Sequence, residues 1–124
     1  MSYNMNSCSY VQIREIMNKN YPKISEPFEA LPVATAEKMA DIYKGLADPT
    51  RLRILFIIFQ GEICVNDLAD QVEMSQSAIS HQLRILRDLG FVSTRREGQS
   101  IYYRVDDEHI GDLFHRTLDH TKHK

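Results

Sequence analysis

The fold is decided by the stretch VNDLADQVEMSQSAISHQLRILRDLGFVSTRREGQSIYYRV, residues 65–105. Its apolar residues recur at the spacing of an amphipathic helix over residues 65–72 and again over residues 76–89. Ser75 is placed to cap the second helix, and Gly90 is placed to end it. Two helices joined by so short a turn predict a helix-turn-helix.

A β-hairpin is predicted directly after this pair of helices. Residues 91–97 and residues 100–105 contain β-branched and aromatic side chains typical of strands, and Gly98 and Gln99 form the turn between them. The hairpin would be the wing of a winged helix-turn-helix. The predicted fold class is therefore mainly α with a β-hairpin wing, an α+β fold.

Helices are also predicted on both sides of this unit. Residues 34–46 consist of good helix formers with one apolar face. Asp48 and Pro49 are suited to cap and begin a nearly all-apolar, buried helix that Gly61 ends. A last helix begins near Asp107.

The domain organisation follows from these elements. Residues 1–32 are predicted to form an N-terminal arm, with a short amphipathic helix over residues 11–20. Residues 33–124 are predicted to form the winged helix-turn-helix domain, with a C-terminal helix for dimerisation and metal binding. A chain of 124 residues has the size of a single small domain.

Composition excludes several classes of protein. The longest apolar run, residues 54–59, is too short to cross a membrane, so no membrane partner is expected. The first residues lack the basic and apolar regions of a secretory signal, and two cysteines in such a chain favour the reducing cytoplasm. The net charge is −2, yet residues 75–105 hold five arginines against two acidic residues, a local charge of +3. Such a basic stripe attracts phosphate.

The basic stripe contains the side chains expected to contact DNA. Short polar groups near the start of the second helix suit hydrogen bonds to base edges in the major groove. Cations and amides on the hairpin suit phosphate or the minor groove. The predicted DNA-binding residues are Ser75, Gln76, Ser77, Ser80, His81, Arg84, Arg95, Arg96 and Gln99.

The C-terminal segment has the composition of a metal site. On a helical wheel His109, His120 and His123 fall within about 60° of one another. They flank an apolar face, which consists of Ile110, Leu113, Phe114 and Leu118. His109 and His120 are roughly 17 Å apart along a helix, whereas metal–ligand bonds are about 2 Å long, so one helix cannot close the site.

Two antiparallel copies of this helix satisfy the geometry. A single register brings Asp107 and His109 of one protomer beside His120 and His123 of its partner, and two-fold symmetry repeats the site. Three imidazoles and one carboxylate suit tetrahedral Zn(II), with Co(II) as an alternative. The prediction is two symmetric metal sites in a homodimer.

A second, thiol-containing site is a weaker prediction from the two cysteines. Cys64 falls near a helix N-terminus, and Asp67 follows it by about one turn. Together with Cys8 these residues could bind a soft metal or respond to oxidation. A small buried thiol and an unrelated cysteine in the arm explain the same residues.

The sequence resembles the ArsR/SmtB family of winged-helix, metal-responsive transcriptional repressors over most of residues 35–124. The segments that carry the resemblance are LADPTRLRIL (46–55), EICVNDLA (62–69), SQSAISHQLRILRDLGFV (75–92) and RREGQSIYYRV (95–105). It implies a dimer that occupies operator DNA and releases it when metal binds. Asp107, His109, His120 and His123 match the C-terminal site of the zinc sensors, whereas Asn66 stands where the thiolate sensors have a second cysteine.

Alternative functions remain open at this point. A winged-helix regulator could respond to thiol or redox chemistry, or to a soft metal, through Cys8 and Cys64, or to no metal at all. A small zinc hydrolase is disfavoured because four protein ligands leave no open position for water, and no nucleophile–base pair is recognisable. The chain is therefore not expected to be an enzyme.

Overall fold

The computed structural model describes residues 29–122. The predicted helix over residues 11–20 therefore lies outside the described residues. The chain divides into two units at Ala36 and Glu37, and the second unit is the one described below. The elements in chain order are α1 (Val33–Leu46), α2 (Pro49–Gln60), β1 (Ile63–Cys64), α3 (Val65–Val72), α4 (Gln76–Asp88), β2 (Val92–Glu97), β3 (Ser100–Val105) and α5 (Glu108–Lys122).

Local sequence signals set the ends of α2. The Asp48 carboxylate accepts a hydrogen bond of 3.0 Å from the backbone N–H of Arg51, and Pro49 occupies the first turn. Gly61 ends the helix, as predicted. The expectation of a helix buried on all sides is wrong, because Leu52 is 37% exposed and Phe56 is 45% exposed.

The helix-turn-helix consists of α3 and α4. Between them Glu73 adopts a left-handed backbone conformation with φ 56°. This conformation has a steric cost for any residue other than glycine. The Ser75 hydroxyl accepts a hydrogen bond of 3.1 Å from the backbone N–H of Ala78 and caps α4. After Leu89, Gly90 takes φ 78°, which confirms the predicted stop.

The wing is part of a three-stranded antiparallel sheet with the order β1-β3-β2. The predicted hairpin is confirmed, with Gly98 and Gln99 at its turn. Strand β1 was not predicted; Ile63 pairs with Tyr103 and Cys64 with Tyr102. Through this strand, the wing is hydrogen-bonded to the residues that directly precede α3.

One apolar core holds these elements together. It lies among α2, α3, α4, the hairpin and the first turns of α5, and burial of its side chains is the main source of stability. Its buried members are Ile54, Leu55, Ile58, Leu68, Ala69, Val72, Ile79, Leu83, Leu86, Phe91, Val92 and Ile110. Ile110 therefore belongs to the core of its own chain and not to an exposed apolar face of α5, which corrects that expectation.

Candidate nucleic-acid interface and metal site

Helix α4 separates its apolar and polar side chains cleanly. Ile79, Leu83 and Leu86 are fully buried, because they fall at helical spacing on the face that meets α2 and α3. The opposite face is exposed along its N-terminal half. Its exposed residues are Ser75, Gln76, Ser77, Ser80, His81 and Arg84. The structure thus gathers all six predicted base-contact residues on one accessible face.

The three residues predicted on the wing are also exposed, but they differ in their surroundings. Arg96 and Gln99 lie near the tip of the hairpin. Arg95 is already engaged: its guanidinium binds the Glu62 carboxylate at 2.8 Å and the Glu97 carboxylate at 2.9 Å. A phosphate that approaches Arg95 must compete with these two carboxylates.

The electrostatics of the wing follow from this cluster. The hydrogen bond from Arg95 lowers the pKa of the Glu62 carboxyl, and the bond to Glu62, followed by that to Glu97, raises the pKa of Arg95. The guanidinium carbon of Arg95 also lies 4.9 Å from the centroid of the Tyr102 ring, a cation–π contact. The role of Glu62, which directly precedes β1, was missed in the sequence because 33 residues separate it from Arg95 on β2. The two residues meet only because β1 and β2 both pair with β3.

The first half of the predicted metal site is assembled at the start of α5. The Asp107 carboxylate accepts a hydrogen bond of 2.8 Å from the backbone N–H of His109, and one oxygen lies 3.1 Å from His109 Nδ1. The His109 side chain is 95% exposed and that of Asp107 is 39% exposed. A carboxylate and an imidazole therefore stand together, accessible to a metal ion.

The second half of the predicted site lies at the other end of the helix. His120 is exposed in the last turn of α5, and His123 lies outside the described residues. Within residues 29–122 of one chain, no three potential ligands stand close enough to hold a metal ion. The structure thus brings Asp107 and His109 together and leaves His120 apart from them.

Cys64 of the second predicted site lies at the junction of β1 and α3. Cys64 is half-buried and occupies the N-cap position of α3, without a side-chain hydrogen bond to the helix. Asp67 is exposed in the first turn. Cys8 lies outside the described residues, so the proposed grouping of the two thiols is untested.

An apolar groove of about 730 Å³ runs beside α5. Its walls come from α1, α2, α3 and α5, and the surface that they expose to the groove is almost entirely apolar. The residues that line it include Tyr43, Leu46, Leu52, Phe56, Leu113, Phe114 and Leu118. The exposed Leu52 and Phe56 could have indicated this groove in the sequence, because α2 carries apolar residues on more faces than its own core needs.

Comparison with known proteins identifies the family. Residues 48–94 match the model of "Bacterial regulatory protein, arsR family". The chain is 35% identical to a transcriptional repressor SmtB homologue of Synechocystis sp. over 94% of this chain and 96% of that protein. The chain belongs to the arsR family of bacterial regulatory proteins.

Two further similar proteins are a cadmium resistance regulator and a DNA-binding domain of known structure. A cadmium resistance regulatory protein CadC homologue of Staphylococcus aureus is 39% identical over 68% of this chain and 70% of that protein. A homodimeric winged helix-turn-helix DNA-binding domain from Mycobacterium bovis superimposes with a TM-score of 0.67 at 31% identity, over 77% of this chain and 91% of that domain. The resemblance, the winged-helix fold and the assignment to regulators rather than enzymes are confirmed.

None of the helices within residues 29–122 combines the length and the hydropathy that are needed to cross a bilayer.

Proposed function

We propose that the protein is a Zn(II)-responsive transcriptional repressor that binds operator DNA as a homodimer and is released from it by zinc. The observation that carries this proposal is the exposed Asp107–His109 pair at the start of α5, with exposed His120 at the end of the same helix. Such a regulator acts where the DNA is, in the cytoplasm.

The apolar groove supports the dimer. Its lining includes the exposed apolar side chains Tyr43, Leu52 and Phe56, and an apolar groove open to solvent is a candidate interaction site. The domain from Mycobacterium bovis that shares this fold is homodimeric. A second copy of α5 that lies antiparallel along the groove buries Leu113 and Leu118 and places the polar ends of both helices side by side.

The chemistry of the donor set fits zinc. In the antiparallel pair, Asp107 and His109 of one protomer and His120 and His123 of its partner supply one carboxylate oxygen and three imidazole nitrogens. Zn²⁺ favours this set in a tetrahedron, and Co²⁺ substitutes for it with the same geometry. Bound zinc supplies a cross-link between the two α5 helices.

The DNA interface uses α4 and the wing. The exposed polar face of α4 enters the major groove, and the cations of the wing meet phosphate or the minor groove. Two recognition helices of a dimer fit successive major grooves about 34–36 Å apart. Zinc bound by the four proposed ligands would favour a dimer geometry in which the two recognition helices no longer fit successive major grooves. The coupling free energy equals the difference in zinc-binding free energy between the two geometries.

A soft-metal or redox response through Cys8 and Cys64 is the second candidate. The relative from Staphylococcus aureus is named for cadmium resistance, and Cys64 is a half-buried free thiol at the N-cap position of α3. Asn66 in place of a second cysteine leaves this site with fewer thiolates than a soft metal prefers.

Metal titration distinguishes the two candidates. The full-length protein should bind two Co²⁺ ions per dimer with the visible spectrum of a tetrahedral nitrogen–oxygen site and no thiolate-to-cobalt band. His120→Ala should abolish this spectrum, whereas the double variant Cys8→Ser, Cys64→Ser should leave it unchanged. A thiolate band that disappears in the serine variant would favour the second candidate and contradict the first.

A further inference from the structure

Arg51 joins three helices through its side chain. Its Nε donates a hydrogen bond of 2.7 Å to the carbonyl of Gly45, and one terminal nitrogen donates a bond of 3.1 Å to the carbonyl of Lys44. The other terminal nitrogen donates a bond of 3.3 Å to Gln82 Oε1 on α4. We propose that Arg51 is a positioning residue for recognition helix α4, which it holds at a fixed angle to the C-terminal end of α1.

The last turn of α1 has backbone carbonyl groups that the Arg51 guanidinium satisfies. Lys44 and Gly45 lie in the last turn of α1, where carbonyl groups have no partner within the helix and carry the negative end of its dipole. The planar guanidinium of Arg51 can bind two adjacent carbonyls and still direct a third N–H elsewhere. Lysine has no such fork, so the geometry is specific to arginine.

The same end of α1 packs against the far end of α4. Gly45 is buried, and a Cβ at this position would clash with Leu89 Cδ1 and lie 3.1 Å from the Phe91 ring. The absence of a side chain lets α1 approach the residue that ends α4. Helix α4 is therefore held against α1 by packing at Leu89 and by the Arg51 bond at Gln82.

Gln82 occupies the flank of α4 that serves this contact. It is half-buried, whereas Ser80, His81 and Arg84 on the DNA-facing side are exposed. Within residues 29–122, the amide of Gln82 accepts the only hydrogen bond that the structure shows from the Arg51 side chain to α4. A change at Gln82 thus alters the position of α4 without removing a proposed base contact.

The position of α1 has a further consequence, which rests on the proposed function. Tyr43 and Leu46 of α1 line the apolar groove that we assign to the dimer. Any shift of α1 that accompanies a change in dimer geometry is passed to the recognition helix through Arg51. This provides a physical connection between the dimer interface and the DNA-reading face, which can be tested by coupling measurements.

The test measures discrimination between two DNA duplexes rather than affinity alone. One duplex is selected by the wild-type full-length protein from a random-sequence pool, and the other is a scrambled version with the same composition. Gln82→Met removes the acceptor at nearly constant volume, and we expect the ratio of the two Kd values to fall about threefold to tenfold, the effect of one hydrogen bond. Affinity for the scrambled duplex and thermal stability should hardly change.

Two further variants separate positioning from simple damage. In Gln82→Glu the carboxylate still accepts from Arg51, so the Kd ratio should stay within about twofold of wild type, although the added charge weakens both affinities. Gln60→Met is the matched control, because Gln60 bonds only to Phe56 of its own helix among the described residues. It should behave as wild type.

Two results with the single variants of Gln82 would overturn the proposal. An unchanged Kd ratio in Gln82→Met would show that the bond does not position α4, and an equal loss in Gln82→Met and Gln82→Glu would show that Gln82 reads DNA itself. The double variant Arg51→Met, Gln82→Met should lose no more discrimination than the worse single variant, since both remove one interaction. Failure of the wild-type protein to select any duplex would instead contradict the proposed function.

Discussion

At the scale of single residues, the turn between α3 and α4 places a strained residue beside the DNA-reading face. Glu73 adopts φ 56°, a conformation that costs an L-residue about 1–2 kcal/mol and glycine almost nothing. Helix α4 begins three residues later at Gln76, and Ser75 is its N-cap. The turn therefore stores a small amount of strain, which a substitution can release.

Glu73→Gly should be more stable than Glu73→Ala by about 0.5–1 kcal/mol. Glycine removes the steric cost of the left-handed conformation, and its greater freedom in the unfolded chain offsets part of that gain. Chemical denaturation of both variants measures the difference, and alanine is the control because it also removes the carboxylate. Equal stability would mean that the turn carries no strain.

At the scale of elements, the ends of the helices and the β2–β3 hairpin were predictable from the sequence, and strand β1 was not. Asp48, Pro49 and Gly61 act on their immediate neighbours, so the sequence indicates α2 directly. Strand β1 has two residues and exists only because it pairs with β3, which no local pattern reveals. The exposure of Phe56 depends on which helices cover it, and this is likewise decided by tertiary packing.

The candidate site likewise has features that follow from local sequence and features that depend on tertiary contacts. The exposed face of α4 could be derived from helical periodicity, because its buried residues fix which side remains accessible. The engagement of Arg95 could not, because Glu62 reaches it only through the sheet. The four metal ligands were predicted from their spacing in the sequence. A closed site needs a second chain, so the metal site stays a prediction.

The ion pairs of the wing predict unequal roles for its two neighbouring arginines. Arg96→Ala should reduce the dependence of log K on log salt by about one unit, the effect of one lost phosphate contact. Arg95→Ala should reduce it by less, because Glu62 and Glu97 already neutralise this cation. DNA binding over a range of salt concentrations measures both slopes. Equal losses would mean that Arg95 leaves its carboxylates on binding DNA.

The lowered pKa of Glu62 predicts a pH-dependent contribution to stability. A carboxyl whose pKa is lower in the folded state than its ordinary value of 4.5 stabilises the fold above that value. This contribution is lost as the pH falls through the lowered pKa. Wild type should therefore have a slightly higher Tm than Glu62→Gln at pH 7 and the same Tm under strongly acidic conditions. A difference that does not depend on pH would contradict the ion pair.

At the scale of the whole molecule, the groove beside α5 links three proposed properties. Its apolar surface is the proposed dimer interface, and the proposed metal ligands lie near the two ends of α5. Helix α1, which also lines the groove, is connected to the recognition helix through Arg51. The metal site depends on the dimer, whereas metal binding and DNA discrimination can each fail while the dimer persists. Oligomeric state, metal binding and DNA discrimination therefore need separate measurements.

Tyr43→Glu should shift the protein from dimer to monomer without unfolding it. Tyr43 lines the groove and is 53% exposed in the single chain, so a charge there costs the monomer little but faces an apolar partner in the dimer. Sedimentation at micromolar concentration measures the effect. Gln71→Glu, on an exposed position of α3, adds the same charge as a control and should remain dimeric. A dimeric Tyr43→Glu would place the interface elsewhere.

The central claim is that ligands from two protomers hold zinc and thereby weaken operator binding. Its most direct test is the affinity for a selected duplex, titrated with Zn²⁺, for wild type, His120→Ala and His115→Ala. His115 lies on the same helix but packs beside Phe59, with 6.3 Å between the ring centroids, and serves as the matched control. Zinc should lower the affinity of wild type and His115→Ala about 5-fold to 150-fold and leave that of His120→Ala unchanged. Zinc-dependent release that persists in His120→Ala would contradict the account.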